Sequence, residues 1–202
     1  MTAIVLAGGK SRRLGVNKAF LELDGQTLIE RVVAGLRNIF SEIVIVTNSI
    51  SCREMKSLFQ NGPRVVEDII EDKGPLAGLY TGLLSTKSPS AFTVACDMPF
   101  LHEELILFLC GQLEGFDAVV PLSVKGYEPL HSIYGQRCRK IIEEQLIRNE
   151  LRPSQIFPYL RVRYIRPEEI EKFDPRMLSF TNINTLEDYR RISGDSRLRS
   201  SS

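Results

Sequence analysis

The sequence predicts an α/β protein with a mostly parallel central sheet covered by helices on both faces. Short apolar runs rich in β-branched residues recur at 3–6, 43–47, 64–66 and 92–96, the signature of strands buried on both faces. Segments with apolar residues at helical spacing separate them, so strand and helix alternate and right-handed crossovers join parallel strands. The 202 residues, 43% hydrophobic and 25% charged, suit one ordinary globular domain with a sizeable core. The domain is expected to span 1–192. The Ser/Arg-rich residues 193–202 are expected to be a disordered tail.

The first strand runs directly into Gly8 and Gly9. Without Cβ atoms there, backbone N–H groups can approach an anion closely and form a concave phosphate site. Lys10, Arg12, Arg13 and Lys18 follow within one loop. So many cations repel one another unless water, salt or a polyanion such as a triphosphate offsets them. A plain turn with solvated basic residues is the competing reading. Position favours the ligand, because ligands of open α/β sheets sit at the carboxyl ends of strands. The spacing Gly8, Gly9, Gly15 is not G-x-G-x-x-G, and Gly9-Lys10-Ser11 lacks the earlier glycine of a Walker A loop.

Residues 20–23 read as a short extended piece ending at the turn pair Asp24-Gly25. Thr27 can cap a helix whose apolar face, Leu28, Ile29, Val32, Val33, Leu36, Ile39 and Phe40, covers the sheet. After the strand 43–47 come a helix over 51–59 and the strand 64–66, which ends in Glu67-Asp68. Pro75 fits the first turn of a helix over 74–84, where its missing N–H costs nothing. Gly78 and Gly82 lie one turn apart on it. Each costs roughly 1 kcal/mol against alanine, so something approaches that face closely. For Gly82 close packing is the expected cause. Gly78, near the helix start with its free amides, is expected to face a ligand.

The strand 92–96 ends at Asp97. A carboxylate there is costly unless paired, hydrogen-bonded or coordinating a metal. A helix cap is one reading. Mg²⁺ is the other, since it is typically held by one or two carboxylates plus substrate phosphates. Further on are a helix over 103–113, strands at 118–120 and 162–165, a helix over 139–147, and a loop at 128–134 entering another strand. Residues 180–185 alternate, and Thr185 can cap a last helix through Ile192. His102 and His131 are lone histidines, expected to be structural. Cys52, Cys96, Cys110 and Cys138 are scattered singly, which argues against structural zinc or a disulfide framework. A net charge of +1 gives no overall pull toward nucleic acid. No stretch has the length to span a bilayer or the form of a leader, so the cytoplasm is expected.

The run Leu6-Ala7-Gly8-Gly9-Lys10-Ser11-Arg12-Arg13-Leu14-Gly15, followed by Asn17-Lys18 and Leu23-Asp24-Gly25, resembles the start of a nucleotidyltransferase. More narrowly it is similar to the molybdenum cofactor guanylyltransferases, the MobA type, whose pattern is L-A-G-G-x-S-x-R-M-G-x-D-K. Leu14 stands for Met and Asn17 for Asp. Gly74-Pro75-Leu76-Ala77-Gly78, Ala95-Cys96-Asp97-Met98-Pro99-Phe100, Glu128-Pro129-Leu130-His131-Ser132-Ile133-Tyr134 and Asn182-Ile183-Asn184-Thr185 resemble the family's later motifs, in its order.

The resemblance implies a single-domain, Rossmann-like three-layer sandwich of the nucleotidyltransferase type. It implies that Leu6, Ala7, Gly8, Gly9 and Lys18 contact the nucleotide, with Asp68 and Gly78 at its base and sugar end. Asp97 would bind both nucleotide and Mg²⁺, and Asn182 and Asn184 would lie on the pterin side. The family's asparagine at the end of its second strand aligns with Val46, and Asn48 stands two residues on. The implied reaction is attack by the terminal phosphate of molybdopterin, or of the molybdenum cofactor, on the α-phosphorus of GTP, with pyrophosphate leaving. Lys18, Arg13 and Asp97 would serve it through positioning and charge. Transient partners that handle the molybdenum cofactor are implied too. A cytidylyltransferase acting on the same pterin or on a sugar or alcohol phosphate, and a non-catalytic GTP-binding module, are the alternatives.

Overall fold

A computed structural model of the chain describes residues 1–8, 17–70, 72–185, 187, 188 and 190. The elements in order are β1 (Thr2–Leu6), β2 (Glu22–Leu23), β3 (Gln26–Thr27), α1 (Leu28–Leu36), β4 (Ile43–Thr47), α2 (Ser49–Leu58), β5 (Arg64–Glu67), α3 (Gly74–Leu84), β6 (Ser90–Ala95), α4 (Glu103–Gly111), β7 (Ala118–Ser123), β8 (Gly126–Tyr127), β9 (His131–Gly135), α5 (Cys138–Ile147), β10 (Val162–Ile165) and α6 (Pro167–Ile170).

The sheet order is β10-β7-β9-β6-β1-β4-β5, with β8 paired to β7. β1 lies between β6 and β4, parallel to both, and β5 extends the parallel run beyond β4. All five residues of β1 are buried. β9 alone in the main path runs antiparallel, inserted between β6 and β7. β7 therefore points the same way as β6, and the carboxyl ends of β5, β4, β1, β6 and β7 share one edge.

Apolar layers cover both faces. Ala3, Val5, Phe92 and Val94 pack with Ile29, Val32, Val33 and Leu36 of α1 and Leu105, Ile106 and Leu109 of α4. On the other face Ile4, Leu6, Val44 and Val46 meet Leu76, Leu79 and Leu83 of α3, while Tyr134 meets Ile142 of α5.

Local chemistry sets the helix ends. Thr27 and Glu30 form a capping box, the Glu30 N–H donating to Thr27 Oγ1 at 3.3 Å and the Thr27 N–H to Glu30 Oε2 at 2.9 Å. Asp24 (φ 51°) and Gly25 (φ 79°) both take left-handed backbone in the β2–β3 turn, the pair that a tight two-residue hairpin demands. α1 ends at Leu36, a turn short of the expected Phe40, which folds back as a buried core residue. α2 begins at Ser49, because Asn48 caps it by accepting from the Ser51 N–H at 2.9 Å. α4 stops at Gly111 rather than Leu113. Residues 180–185 do not form a strand. A 3-10 turn at Leu178–Phe180 leads into irregular chain, and Asp174 ties the turn by accepting from the Leu178 and Ser179 N–H groups at 3.1 and 2.8 Å. Thr185 does accept from the Asp188 N–H at 3.0 Å, as a cap would. Residues 191–202, and with them the expected tail, lie outside the described residues.

Gly82 faces β1, where a Cβ would fall 2.5 Å from Ile4 Cγ2. Its glycine is a packing requirement of α3 on the central strand.

Candidate active site

The sheet edge that collects the carboxyl ends also collects most of the residues singled out in the sequence. The Ala7 N–H donates to the Val46 carbonyl at 2.8 Å, so the chain leaving β1 stays pinned to β4 for one residue more. Gly8 then sits beside the Thr47–Asn48 backbone, 3.7 Å separating its Cβ position from the Asn48 nitrogen. Gly9 and Arg13, with Lys10, Arg12 and Gly15, lie outside the described residues.

The chain resumes at Asn17, whose Oδ1 accepts from the Ala19 N–H at 3.0 Å and caps the 3-10 turn Lys18–Phe20. Asn17 Nδ2 donates to Ser51 Oγ at 2.8 Å, which fastens this turn to the start of α2. Lys18 is thereby delivered back to the strand ends, where its Nζ donates to Asn184 Oδ1.

Asp97 lies two residues past β6. Its Oδ1 accepts from Asn182 Nδ2 at 3.0 Å, and its main-chain carbonyl accepts from the Ile183 N–H at 2.7 Å. Burial pushes its carboxyl above the usual range, while the Asn182 bond and the Lys18 charge pull the other way. Residues 182–184 thus form a strap across Asp97 and Lys18. Asn182 and Asn184, expected on the acceptor side, here hold the two residues expected to handle the phosphates.

A second group lies toward the other end of the sheet. The Asp68 N–H donates to the Thr47 carbonyl at 2.8 Å, and its Oδ1 accepts from Thr81 Oγ1 at 2.7 Å and from the Ile70 N–H at 3.2 Å. Gly78, one turn before Thr81 on the same face of α3, faces Leu6 and Asp68; a Cβ there would stand 3.2 Å from Leu6 Cδ2 and 3.9 Å from Asp68 Oδ2. Leu6, Asp68 and Gly78 are one wall. Thr81 belongs to it and was missed by sequence reasoning, although its place three residues after Gly78 on a glycine-lined helix face was a usable signal. Ser51 was missed as well, and Asn17 was noted only as a departure from the family pattern.

His131 is a core residue. It lies between Phe92 and Phe180, with ring centroids 5.0 and 5.1 Å away in edge contacts, and burial pushes its pKa down to about 3. Among the described residues no group of three or more His, Cys, Asp or Glu is placed to hold a metal ion. Asp97 suits a cation held mainly by phosphate oxygens. It offers a desolvated carboxylate, a hard oxygen donor, on the edge where the expected phosphate loop leaves β1.

The MobA-like NTP transferase domain matches residues 3–157. A molybdenum cofactor guanylyltransferase of Desulfosudis oleivorans is 38% identical over 190 residues, covering 93% of this chain and 92% of that protein. The crystal structure of molybdopterin-guanine dinucleotide biosynthesis protein A from Archaeoglobus fulgidus superposes with a TM-score of 0.81 at 30% identity, covering 95% of this chain and 96% of that one. A 4-diphosphocytidyl-2C-methyl-D-erythritol synthase from Anaerococcus prevotii shares the fold alone, with a TM-score of 0.70 at 18% identity, covering 98% of this chain and 95% of that one. With the strand that leads into Gly8 at the sheet centre and a family match over most of its length, the chain belongs to the MobA-like NTP transferases.

Proposed function

We propose that this chain transfers GMP from GTP to the terminal phosphate of molybdopterin or the molybdenum cofactor, releasing pyrophosphate. The observation that carries the reading is the meeting of Lys18 and Asp97 under one strap at the carboxyl ends of β1 and β6. The named relatives, matched over nearly their whole length, support the choice of nucleotide and acceptor.

Gly8 and Gly9, lacking Cβ atoms, would let main-chain N–H groups approach the triphosphate closely. Lys18 and Arg13 offset its charge, and Leu6, Gly78 and Asp68 hold the nucleoside. The acceptor supplies its own phosphate oxygen as nucleophile, so no protein nucleophile is required. Alignment of that oxygen with the α-phosphorus, together with charge compensation, provides most of the rate. Asp97 would hold Mg²⁺, which when bound neutralises phosphate charge and orients the leaving group. Asn182 and Asn184 stand where acceptor and triphosphate meet, and both substrates would draw on the hydrogen bonds that these residues now make to Asp97 and Lys18. A buried carboxylate at this edge has little use in a module that only holds GTP, which favours catalysis over the non-catalytic alternative.

Among the described residues no helix is long and apolar enough to cross a membrane. A cytoplasmic site of action and transient contact with proteins that carry the molybdenum cofactor belong to the same proposal.

The test is product formation from molybdopterin with GTP, CTP and ATP at equal concentration and Mg²⁺ present, the product identified by mass. GTP is expected to lead. CTP matching or exceeding GTP would refute the guanylyl assignment and leave the transferase reading standing.

A further inference from the structure

Glu128 is a buried carboxylate without a role in the reaction as derived above. It is 7% exposed, at the turn between β8 and β9. Its Oε1 accepts from Ser123 Oγ at 2.5 Å. Its other oxygen has no hydrogen-bond partner among the described residues and is not sealed from solvent. Burial pushes the carboxyl upward, against the Ser123 bond and the Lys125 charge. A glutamine would serve a hairpin as well, without the cost of desolvating a charge.

The sheet register places this group on the same sheet edge as Asp97, with the Glu128 N–H donating to the Pro121 carbonyl of β7 at 3.0 Å. Val94 of β6 pairs with His131 of β9 in antiparallel sense, and the Ala95 N–H donates to the Leu130 carbonyl at 3.1 Å. Asp97 follows Val94 by three residues and Glu128 precedes His131 by three, so the two carboxylates leave neighbouring strands at the same edge. The nucleoside wall of Leu6, Gly78 and Asp68 lies toward β4 and β5, on the opposite side of Asp97. Lys125 Nζ donates to the Phe180 carbonyl at 3.5 Å, tying the β7–β8 hairpin to the start of the strap that carries Asn182. Glu128 therefore stands on the acceptor's side of the phosphates.

We propose that Glu128, oriented by Ser123, recognises the acceptor's heterocycle, its carboxylate accepting from a ring N–H and the adjacent exocyclic amine of a 2-amino-4-oxo pterin. Two parallel donors on a planar edge match two carboxylate oxygens, the geometry that makes bidentate pairs strong and selective. The inference rests on the proposed function, because only an acceptor with such an edge gives the carboxylate this partner.

The test compares Glu128→Gln with wild type in three measurements: the KM for molybdopterin, kcat at saturating acceptor, and GTP affinity by titration without acceptor. The amide keeps the shape and the acceptor for Ser123 but turns one acceptor atom into a donor. The expected result is an acceptor KM raised about tenfold or more, with GTP affinity and kcat within about twofold of wild type. An unchanged acceptor KM overturns the proposal. So does an equal loss of GTP affinity, which assigns Glu128 to the nucleotide or the fold. If Glu128→Gln does not fold, Glu128→Asp, which withdraws the carboxylate by one methylene, is read against the same outcomes.

A second arm uses 6-hydroxymethylpterin and 6-hydroxymethyllumazine as inhibitors competing with molybdopterin. The lumazine replaces the exocyclic amine with a carbonyl, so wild type should prefer the pterin about tenfold and the variant should lose that preference. Equal inhibition of wild type by both overturns the proposal. If wild type forms no product from GTP and molybdopterin, the proposed function falls and this inference with it. If wild type is active and the variant is indistinguishable from it, only this inference falls.

Discussion

The two glycines on one face of α3 should fail in opposite ways when given a methyl group. At Gly82 the added Cβ would lie 2.5, 2.9 and 3.2 Å from Ile4 Cγ2, Cδ1 and Cγ1. Ile4 is fully buried on the central strand, and its β-branched side chain has little rotamer freedom to retreat. Alanine gains about 1 kcal/mol in helix propensity, but overpacking a rigid core position costs about 1–3 kcal/mol, more in tight cases. At 2.5 Å the cost falls at the upper end, so Gly82→Ala should lose roughly 2 kcal/mol net, a fall in Tm of about 4–8 °C for a chain of this size. At Gly78 the nearest atom is Leu6 Cδ2 at 3.2 Å, the far end of a flexible side chain, with Asp68 Oδ2 next at 3.9 Å. Gly78→Ala should leave stability level or raise it by up to about 1 kcal/mol, a rise in Tm of at most about 2–4 °C. It should weaken GTP binding, because Leu6, placed on the proposed nucleoside wall, must shift to admit the methyl group. Thermal melts and GTP titration calorimetry on both variants decide the matter. A neutral or stabilised Gly82→Ala would refute the close-contact argument. Equal destabilisation of both variants, with GTP binding intact in Gly78→Ala, would refute the division of labour between them.

Asp97→Asn should abolish Mg²⁺-dependent transfer while holding or raising the Tm of the free protein, because burial raises the carboxyl's pKa and the amide can still accept from Asn182; near-normal turnover would end the metal role. Lys18→Ala removes the ammonium group proposed to meet the triphosphate and should cost GTP binding about 1.5–3 kcal/mol, readable by calorimetry. His131 has a folded pKa of about 3 against 6.5 when exposed, so the unfolded chain takes up the proton first. The stability of the neutral ring is therefore fully present above 6.5 and lost as pH falls toward about 3, by up to about 1.4 kcal/mol per pH unit. Subtracting the pH profile of His131→Phe from that of wild type should leave this slope alone, and parallel profiles would contradict it.

The parallel half of the sheet was legible because apolar β-branched runs and turn residues are local signals. The direction of β9 was not, since a strand buried on both faces reads the same in either sense, and its antiparallel placement follows from its partners β6 and β7. The strap was the hardest part. Residues 180–185 alternate like a strand, yet their bonds run to Asp97 and Lys18, 85 and 166 positions away along the chain. Spacing suggested which residue types belong at the site, but it could not show that Asn182 and Asn184 close over the two residues expected to handle phosphate.

The departure at Asn17 has a physical explanation in its two hydrogen bonds. Its Oδ1 caps the turn that carries Lys18, a role that an aspartate oxygen fills equally well. Its Nδ2 donates to Ser51 Oγ, a bond that an aspartate cannot donate. A hydroxyl, however, both donates and accepts, so Ser51 could turn its hydrogen toward a carboxylate and keep the link to α2. Either residue can therefore fix the turn that carries Lys18 against α2. The difference lies in charge. An aspartate there would set a carboxylate one residue from Lys18 and, on the proposed reading, compete with the triphosphate for its ammonium group, whereas Asn17 adds no negative charge beside Lys18.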